Sequence, residues 1–394
     1  MTPSIELQFN HYYTQHCKHL KLQGLQPKTI DAYSRAIRRI GEHFQGHLDN
    51  LSQEQLVDYF GLTKRSQAAM ALQGDFKLIT TGTPIENHLG ELWNLFHFIN
   101  PGLLGSLKKF NERYAQAIEN NKDHNTQQLL KKLLRPFILR RLKNDVLQEL
   151  PAKTEITIHV ELSQEERTFY EAMRRNAVQA MQTAQAEGQH AGQQHLKVLA
   201  EIMKLRRTCC HPKLVMEDSP LSSAKLQAFE ELVDELISNR HKALVFSQFV
   251  GHLSIIRELL DKKGIHYQYL DGSTPVAKRK KAVNASQAGE GDVFLISLKA
   301  GGSGLNLTAA DYVIHMDPWW NPAVEDQASD RAHRMGQKRP VTIYLLVAKD
   351  TIEDKIVELH AHKRDLASSL LEGGEVSGKM SGNEMMKLIR ETDD

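Results

Sequence analysis

"DVFLISLKAGGSGLNLTAADYVIHMDPWWNP", Asp292 to Pro322, holds two short apolar runs separated by a glycine-rich stretch. Each run is rich in Val, Ile and Leu and too short for a helix, so each reads as a buried strand. Working outward, "KALVFS" and "HYQYL" upstream and "VTIYLLVA" downstream have the same character. Segments of helical spacing lie between them. Apolar strands alternating with helices predict an α/β lobe, a parallel sheet with helices on both faces, from about Ser222 onward. Right-handed crossovers gather the strand C-termini at one edge, where ligands bind. The loops expected there are "SQF", "DGSTP", "SLKAGGSG" and "MDPWWNP".

Next comes "QASDRAHRMGQ", Gln327 to Gln337. Arg331 and Arg334 lie three apart, so a continuing helix puts both on one face. Arginines presented this way reach the γ-phosphate of a bound nucleotide in many nucleotide hydrolases.

The rest of the chain is less regular. Residues 1–61 read as helices, with a capping pattern at Ser52-x-x-Gln55. "GDFKLITTGTP", residues 74–84, reads as a buried strand feeding a turn. Residues 86–150 read as mostly helical. "KTEITIHVEL" alternates as a strand does, and Ser163-x-x-Glu166 caps a long helical region whose middle, "TAQAEGQHAGQQH", is a poor core former.

Net charge is +2, so bulk charge does not decide for or against nucleic acid. Three cysteines, Cys17, Cys209 and Cys210, make no disulfide framework and fit a reducing cytosol. The apolar runs are too short to span a bilayer, and no signal peptide opens the chain. A cytoplasmic protein with no membrane association is expected. Cys209-Cys210-His211 lacks a second ligand pair and reads as a turn closed by Pro212 rather than a zinc site. Trp319 and Trp320 are expected to pack. The basic runs at Lys278–Lys281 and Arg135–Lys143 read as solvated faces or phosphate contacts.

"TGTPIENHLGELWNLFHFINPGLLG", "LRRTCCHPKLV", "ALVFSQF", "YLDGSTP" and "ISLKAGGSGLNLTAADYVIHMDPWWNPAVEDQASDRAHRMGQ" together resemble the Swi/Snf-type ATPases, double-stranded-DNA translocases of the superfamily-two helicase fold. The likeness runs from about Leu62 to the C-terminus. It implies two RecA-like lobes that close on ATP. By position, Arg331 and Arg334 resemble the arginine fingers of the second lobe, with Gln327 on the same helix facing the nucleotide. Gly304 and Asp330 fall at cofactor-binding positions. Lys299, Gly301, Gly302 and Ser303 resemble a loop touching a DNA phosphate; Thr81, Gly82 and Thr83 resemble the first lobe's coupling loop. "GLQPKTIDAYSRAIRRI" with "LDNLSQEQLVDYF" is similar to the helical, SAM-like core-binding domain of tyrosine recombinases. The expected organisation is an integrase-like domain over 1–61, a first-lobe remnant with helical protrusions over 62–221, the helicase C-terminal lobe over 222–372, and a tail over 373–394. In "AVNASQAGEGDVFLIS" Ser286 stands where the family usually has a large aromatic.

The resemblance also requires a phosphate loop and a magnesium carboxylate. The nearest match to G-x-x-x-x-G-K-[ST] is "GGEVSGKM", Gly373 to Met380, in which Met380 replaces the hydroxyl residue and no strand precedes. The acidic pair Asp234-Glu235 has helical spacing and reads as a helix face. None of the 19 histidines is followed three residues later by arginine, so recombinase chemistry is not expected. Three readings follow. The first is a fragment with weak double-stranded-DNA binding and half an ATP site, inactive alone. The second is an ATPase completed by a partner chain bearing the P-loop, with ATP and magnesium only then. The third is a non-enzymatic DNA- or protein-binding module built on the first helices.

Overall fold

The computed structural model describes residues 13–14, 68–81, 89–119, 123–139, 141, 143, 147, 149–186, 191–300 and 305–360. The integrase-like reading of 1–61 and the 373–394 tail lie outside these, apart from Tyr13 and Thr14. Two compact units divide the chain: Met1–Ile79 with Trp93–Asn111, and Thr80–Leu92 with Glu112–Asp394.

In the first unit the Trp93 indole donates to the Gly105 carbonyl at 3.0 Å, and its ring stacks on His97. Both Trp93 and His97 lie on α1, Leu89–Ile99. The strand expected within 74–84 is absent from its described part. Residues 72–81 are irregular, with Phe76 83% and Leu78 71% exposed. An extended segment becomes a strand only when a neighbouring strand pairs along its backbone, and residues 72–81 form no such ladder.

In the second unit α2, His124–Leu134, has its first amides capped by the Asp123 carboxylate. A parallel sheet follows: β1 Lys153–Val160, β2 Ala243–Ser247, β3 Tyr267–Leu270, β4 Val293–Ser297, β5 Tyr312–His315 and β6 Val341–Ala348. Their order is β1-β6-β5-β2-β4-β3. Five of these strands are the apolar runs of the sequence. The sixth, "KTEITIHV", is a strand as its alternation predicts. Its partner was not legible: it lies parallel to β6, Lys153 opposite Val341.

The alternation of side chains along each strand builds two cores. Leu244, Phe246, Phe294, Ile296 and Val313 face one side; Ala243, Val245, Val293, Leu295 and Ile314 face the other. Both faces being buried explains why β2 and β4 are apolar up to their final serines, Ser247 and Ser297. The second core is closed by α5, Ala224–Ser238, and α6, Val250–Lys263. α6 stops at Gly264, whose φ of 68° is the left-handed conformation that ends helices. The helical reading of Asp234-Glu235 holds: both lie on α5, where Asp234 accepts from Lys263 at 2.6 Å. α7, Val276–Gln287, has no buried residue, and half-buried Ser286 leaves its contact thin.

Two helices between β1 and β2, α3 Gln164–Ala186 and α4 Ala191–Cys210, pack against the helix over 352–360 through Tyr170, Ile202, Leu205, Ile352 and Ile356. The capping box at the start of α3 forms as expected. Ser163 Oγ accepts from Glu166 N at 3.2 Å and Glu166 Oε2 accepts from Ser163 N at 3.0 Å. Among the described residues no helix is long and apolar enough to cross a membrane.

His315, at the end of β5, lines a cavity of about 190 Å³ with Ser329, Ile343 and Leu345, and its Nε2 lies 2.9 Å from Ser329 Oγ. Burial pushes its pKa down to about 4. The unfolded imidazole takes a proton near pH 6.5 and the folded one resists until about pH 4. The contribution is therefore complete above pH 6.5 and is lost as pH falls through this window, by about 3 kcal/mol. His315→Gln is expected to flatten urea-unfolding stability between pH 6.5 and 4; an unchanged slope refutes the assignment.

Candidate functional site

The C-terminal ends of the strands converge as predicted, and each loop there is fastened by local polar contacts. After β3, Asp271 accepts from Ser273 N at 2.9 Å, Ser273 Oγ at 2.7 Å and Thr274 Oγ1 at 3.1 Å. Burial alone would raise its pKa, but these bonds and one from Tyr269 hold it at about 2. The "DGSTP" turn is thus fixed at the start of α7. Arg279, on α7, donates to the Ala300 carbonyl at 3.1 Å and so pins the entry to the glycine-rich stretch. Lys278, Lys280 and Lys281 on the same helix are exposed. Lys299 is exposed as well, its ammonium 5.9 Å from the centre of the Trp319 ring. Gly301, Gly302, Ser303 and Gly304 lie outside the described residues, as do Gly82 and Thr83; Thr81 ends the exposed segment before them.

Beneath this edge Arg206, fully buried, is stacked between aromatic faces. Its guanidinium lies 5.7 Å from the ring centres of Phe249 and Trp319 and 5.3 Å from that of Trp320. It donates to Gln248 Oε1 at 3.0 Å and to the Pro318 carbonyl. The two tryptophans pack, as expected, and the cation they pack on was not anticipated. "LRR" in "LRRTCCHPKLV" was the only available signal.

The arginine pair departs from its expected geometry. α8 runs only Pro322–Ser329, capped at Asp330. Arg331 and Arg334 therefore follow the helix in a run of tight turns, where Arg331 N reaches Ala328 O and Ala332 N reaches Ser329 O. Gly336, at φ 99°, completes the change of direction. The two side chains do not share a face: Arg331 is buried and Arg334 exposed. Gln327 is exposed on α8. Asp330 is taken by Lys143, whose ammonium lies 2.6 Å away and also donates to the His333 carbonyl at 3.1 Å. Lys143, read as part of a basic face, instead ties this turn.

Gln337 fastens the same turn. Its Nε2 donates to the carbonyls of Thr308, Ala310 and Ala332, and its Oε1 accepts from Lys338 N and Arg339 N. Leu307 N donates to Arg331 O at 3.0 Å. Because Leu307 to Ala310 lead into β5, the arginine turn lies at the strands' N-terminal ends, and Lys299 at their C-terminal ends. The structure does not bring these two groups together. Lys143→Ala is expected to cost under about 1 kcal/mol, as half-exposed ion pairs do, yet to speed amide exchange across 330–337. Unchanged exchange would show that the tie is incidental.

Arg331 is electrostatically unusual. Its Nε and Nη1 are buried without a hydrogen-bond partner. Burial first, then the neighbouring Arg334 charge, lowers its pKa to about 10, so it remains a cation at neutral pH. A buried guanidinium with two unanswered donors has the charge and the geometry to take an anion.

A six-stranded parallel sheet with helices on both faces and this arginine turn after its fifth strand defines a RecA-like helicase lobe. The SNF2-related domain matches residues 61–214, and the helicase conserved C-terminal domain matches 224–336. The SWI2/SNF2 ATPase core domain of Sulfolobus solfataricus superposes with a TM-score of 0.51 at 31% identity, covering 84% of this chain and 68% of that one. The chain belongs to the SWI2/SNF2 family. It is 38% identical over 329 residues to an uncharacterized ATP-dependent helicase of Mycoplasma pneumoniae, covering 82% of this chain and 31% of the relative. To the ISWI chromatin-remodeling complex ATPase CHR11 of Arabidopsis thaliana it is 34% identical, covering 80% and 30%. The chain thus spans about a third of the length of these relatives. The first of the two family matches begins at residue 61, and the integrase-like reading of the residues before it has no support.

Proposed function

We propose that this chain is the arginine-bearing half of a Swi/Snf-type ATP-dependent translocase of double-stranded DNA, and that these 394 residues do not hydrolyse ATP alone. The observation that carries this reading is Arg331, with two buried donors awaiting an anion. Its guanidinium fits a terminal phosphate. ATP also needs a phosphate loop and a magnesium carboxylate, and the sequence offers neither. The nearest P-loop match has Met380 where a hydroxyl is required, and Asp234 is spent on Lys263. An arginine stabilises charge on a nucleotide already held by other groups and cannot replace them.

DNA is assigned to the opposite edge. Lys299 and the lysines of α7 are exposed there, beside the loop that Arg279 pins. Exposed lysines of this kind neutralise phosphates without reading sequence. The exposed apolar side chains of Leu72, Phe76 and Leu78 favour completion by a further segment, because a sheet neighbour would cover them.

Phosphate release is measured with duplex DNA and magnesium, first with the chain alone and then with a separately expressed P-loop lobe from an SNF2 relative. No release alone and DNA-stimulated release with the lobe support the proposal. Release by the chain alone that Arg334→Ala abolishes overturns it. So does the lack of any response to the added lobe when salt-dependent DNA binding is intact.

A further inference from the structure

Cys210, His252 and Asp317 come from three separate elements: the end of α4, the first turn of α6 and the loop after β5. They are 42 and 65 residues apart along the chain (252 − 210 and 317 − 252). All three are buried, and one potential ligand atom from each lies within 4.8 Å of the others. The sequence neighbours of Cys210 are excluded from the group. Cys209 faces the apolar core of Tyr170, Ile202 and Ile352. His211 uses its Nδ1 to accept from Lys213 N at 3.1 Å.

His252 supplies the independent observation. It is fully buried, and neither ring nitrogen has a hydrogen-bond partner. A buried imidazole always carries one N–H and one lone pair to be satisfied, and leaving them unanswered costs about 1–3 kcal/mol. Asp317, by contrast, is held in place. Its carboxylate accepts from Ser247 Oγ and from Gln248 N at 3.3 Å, with lone pairs to spare. Outer hydrogen bonds of this kind orient metal ligands.

We propose that Cys210, His252 and Asp317 form a zinc site that binds α4 to the sheet edge. The donor set selects the ion. A thiolate and an imidazole are poor ligands for magnesium or calcium, which require oxygen, and are good ones for zinc. With Zn–N and Zn–S bonds of about 2.0–2.3 Å, tetrahedral donors sit roughly 3.5 Å apart, so the trio has to close by about one ångström. On binding, the Cys210 thiol gives its proton to solvent, and the thiolate and the Asp317 carboxylate together balance the dication. Two cations lie nearby, and both are engaged. Lys225 is paired with Glu353, and Arg206 sits on the Pro318 carbonyl, Gln248 and three aromatic rings.

The full chain is expressed with zinc, desalted under reducing conditions and analysed for metal. It is then stripped and reloaded with cobalt(II) as a spectroscopic stand-in. About one zinc per chain is expected, together with a thiolate-to-cobalt charge-transfer band. Cys210→Ser and His252→Gln should lose the band, and His211→Gln should keep it. Wild-type protein holding well below one equivalent overturns the proposal even if every variant fails to fold. A band that survives Cys210→Ser overturns it as well.

Discussion

Lys225→Ala is expected to destabilise the protein by about 3–5 kcal/mol, the cost of leaving a buried ion without its partner. Lys225 and Glu353 are both fully buried and paired side chain to side chain. Glu353 also accepts from Ala348 N at 2.8 Å, which fixes its carboxylate at the end of β6. Burial would lower the Lys225 pKa, but the Glu353 charge beside it holds it above its ordinary value. Removing the ammonium leaves that carboxylate with a single backbone donor in a dry site. The double variant Lys225→Met with Glu353→Gln removes both charges and keeps an acceptor for Ala348 N. It should recover most of the loss, since neutral replacements of buried pairs are often tolerated. Urea-unfolding midpoints of the two variants decide. A single variant within about 1 kcal/mol of the parent, or a double variant worse than the single, would remove this pair from any account of the fold.

Lys225 also shows where sequence reading stops. It opens a helix after Ser223, whose hydroxyl accepts from Leu226 N, and a lysine in that position normally faces water. Nothing local announces a glutamate 128 residues away. The strands were legible for the opposite reason. Their signal is local, because both faces of β2 and β4 are buried and the apolar run is unbroken. β1 was legible as a strand, while its pairing with β6, a long-range choice, was not. "DFKLITT" carries the same local signal but is irregular in the structure, so the signal alone does not make a strand. In the arginine segment the helical period runs on past Ser329, and the cap at Asp330 stops it. Gly336 in "RMGQ" was the available hint that the chain turns there. The loop chemistry at the sheet edge was visible by position, but Arg206 and the Cys210–His252–Asp317 group depend on contacts across the fold.

In a complex that supplies phosphate loop and magnesium, Arg331→Ala is expected to lower ATP turnover about 10³-fold or more, the usual worth of an arginine that meets transition-state charge. The linked expectation separates this role from a structural one. In the chain by itself, Nε and Nη1 of Arg331 bond to nothing, and Arg334 repels it. Arg331→Met should therefore leave the fold unchanged or stabilise it by about 1–2 kcal/mol, because a desolvated cation is removed and its methylenes are kept. Arg331→Lys should restore little turnover, since a point charge lacks the planar fork that grips two phosphate oxygens. Arg334, being exposed, should tolerate substitution without any stability change. Turnover that survives Arg331→Ala, or a fold that collapses with Arg331→Met, would assign this guanidinium to packing. Loss of turnover together with a steadier fold would mean that the chain keeps an unpaired charge buried in readiness for an anion it does not itself hold.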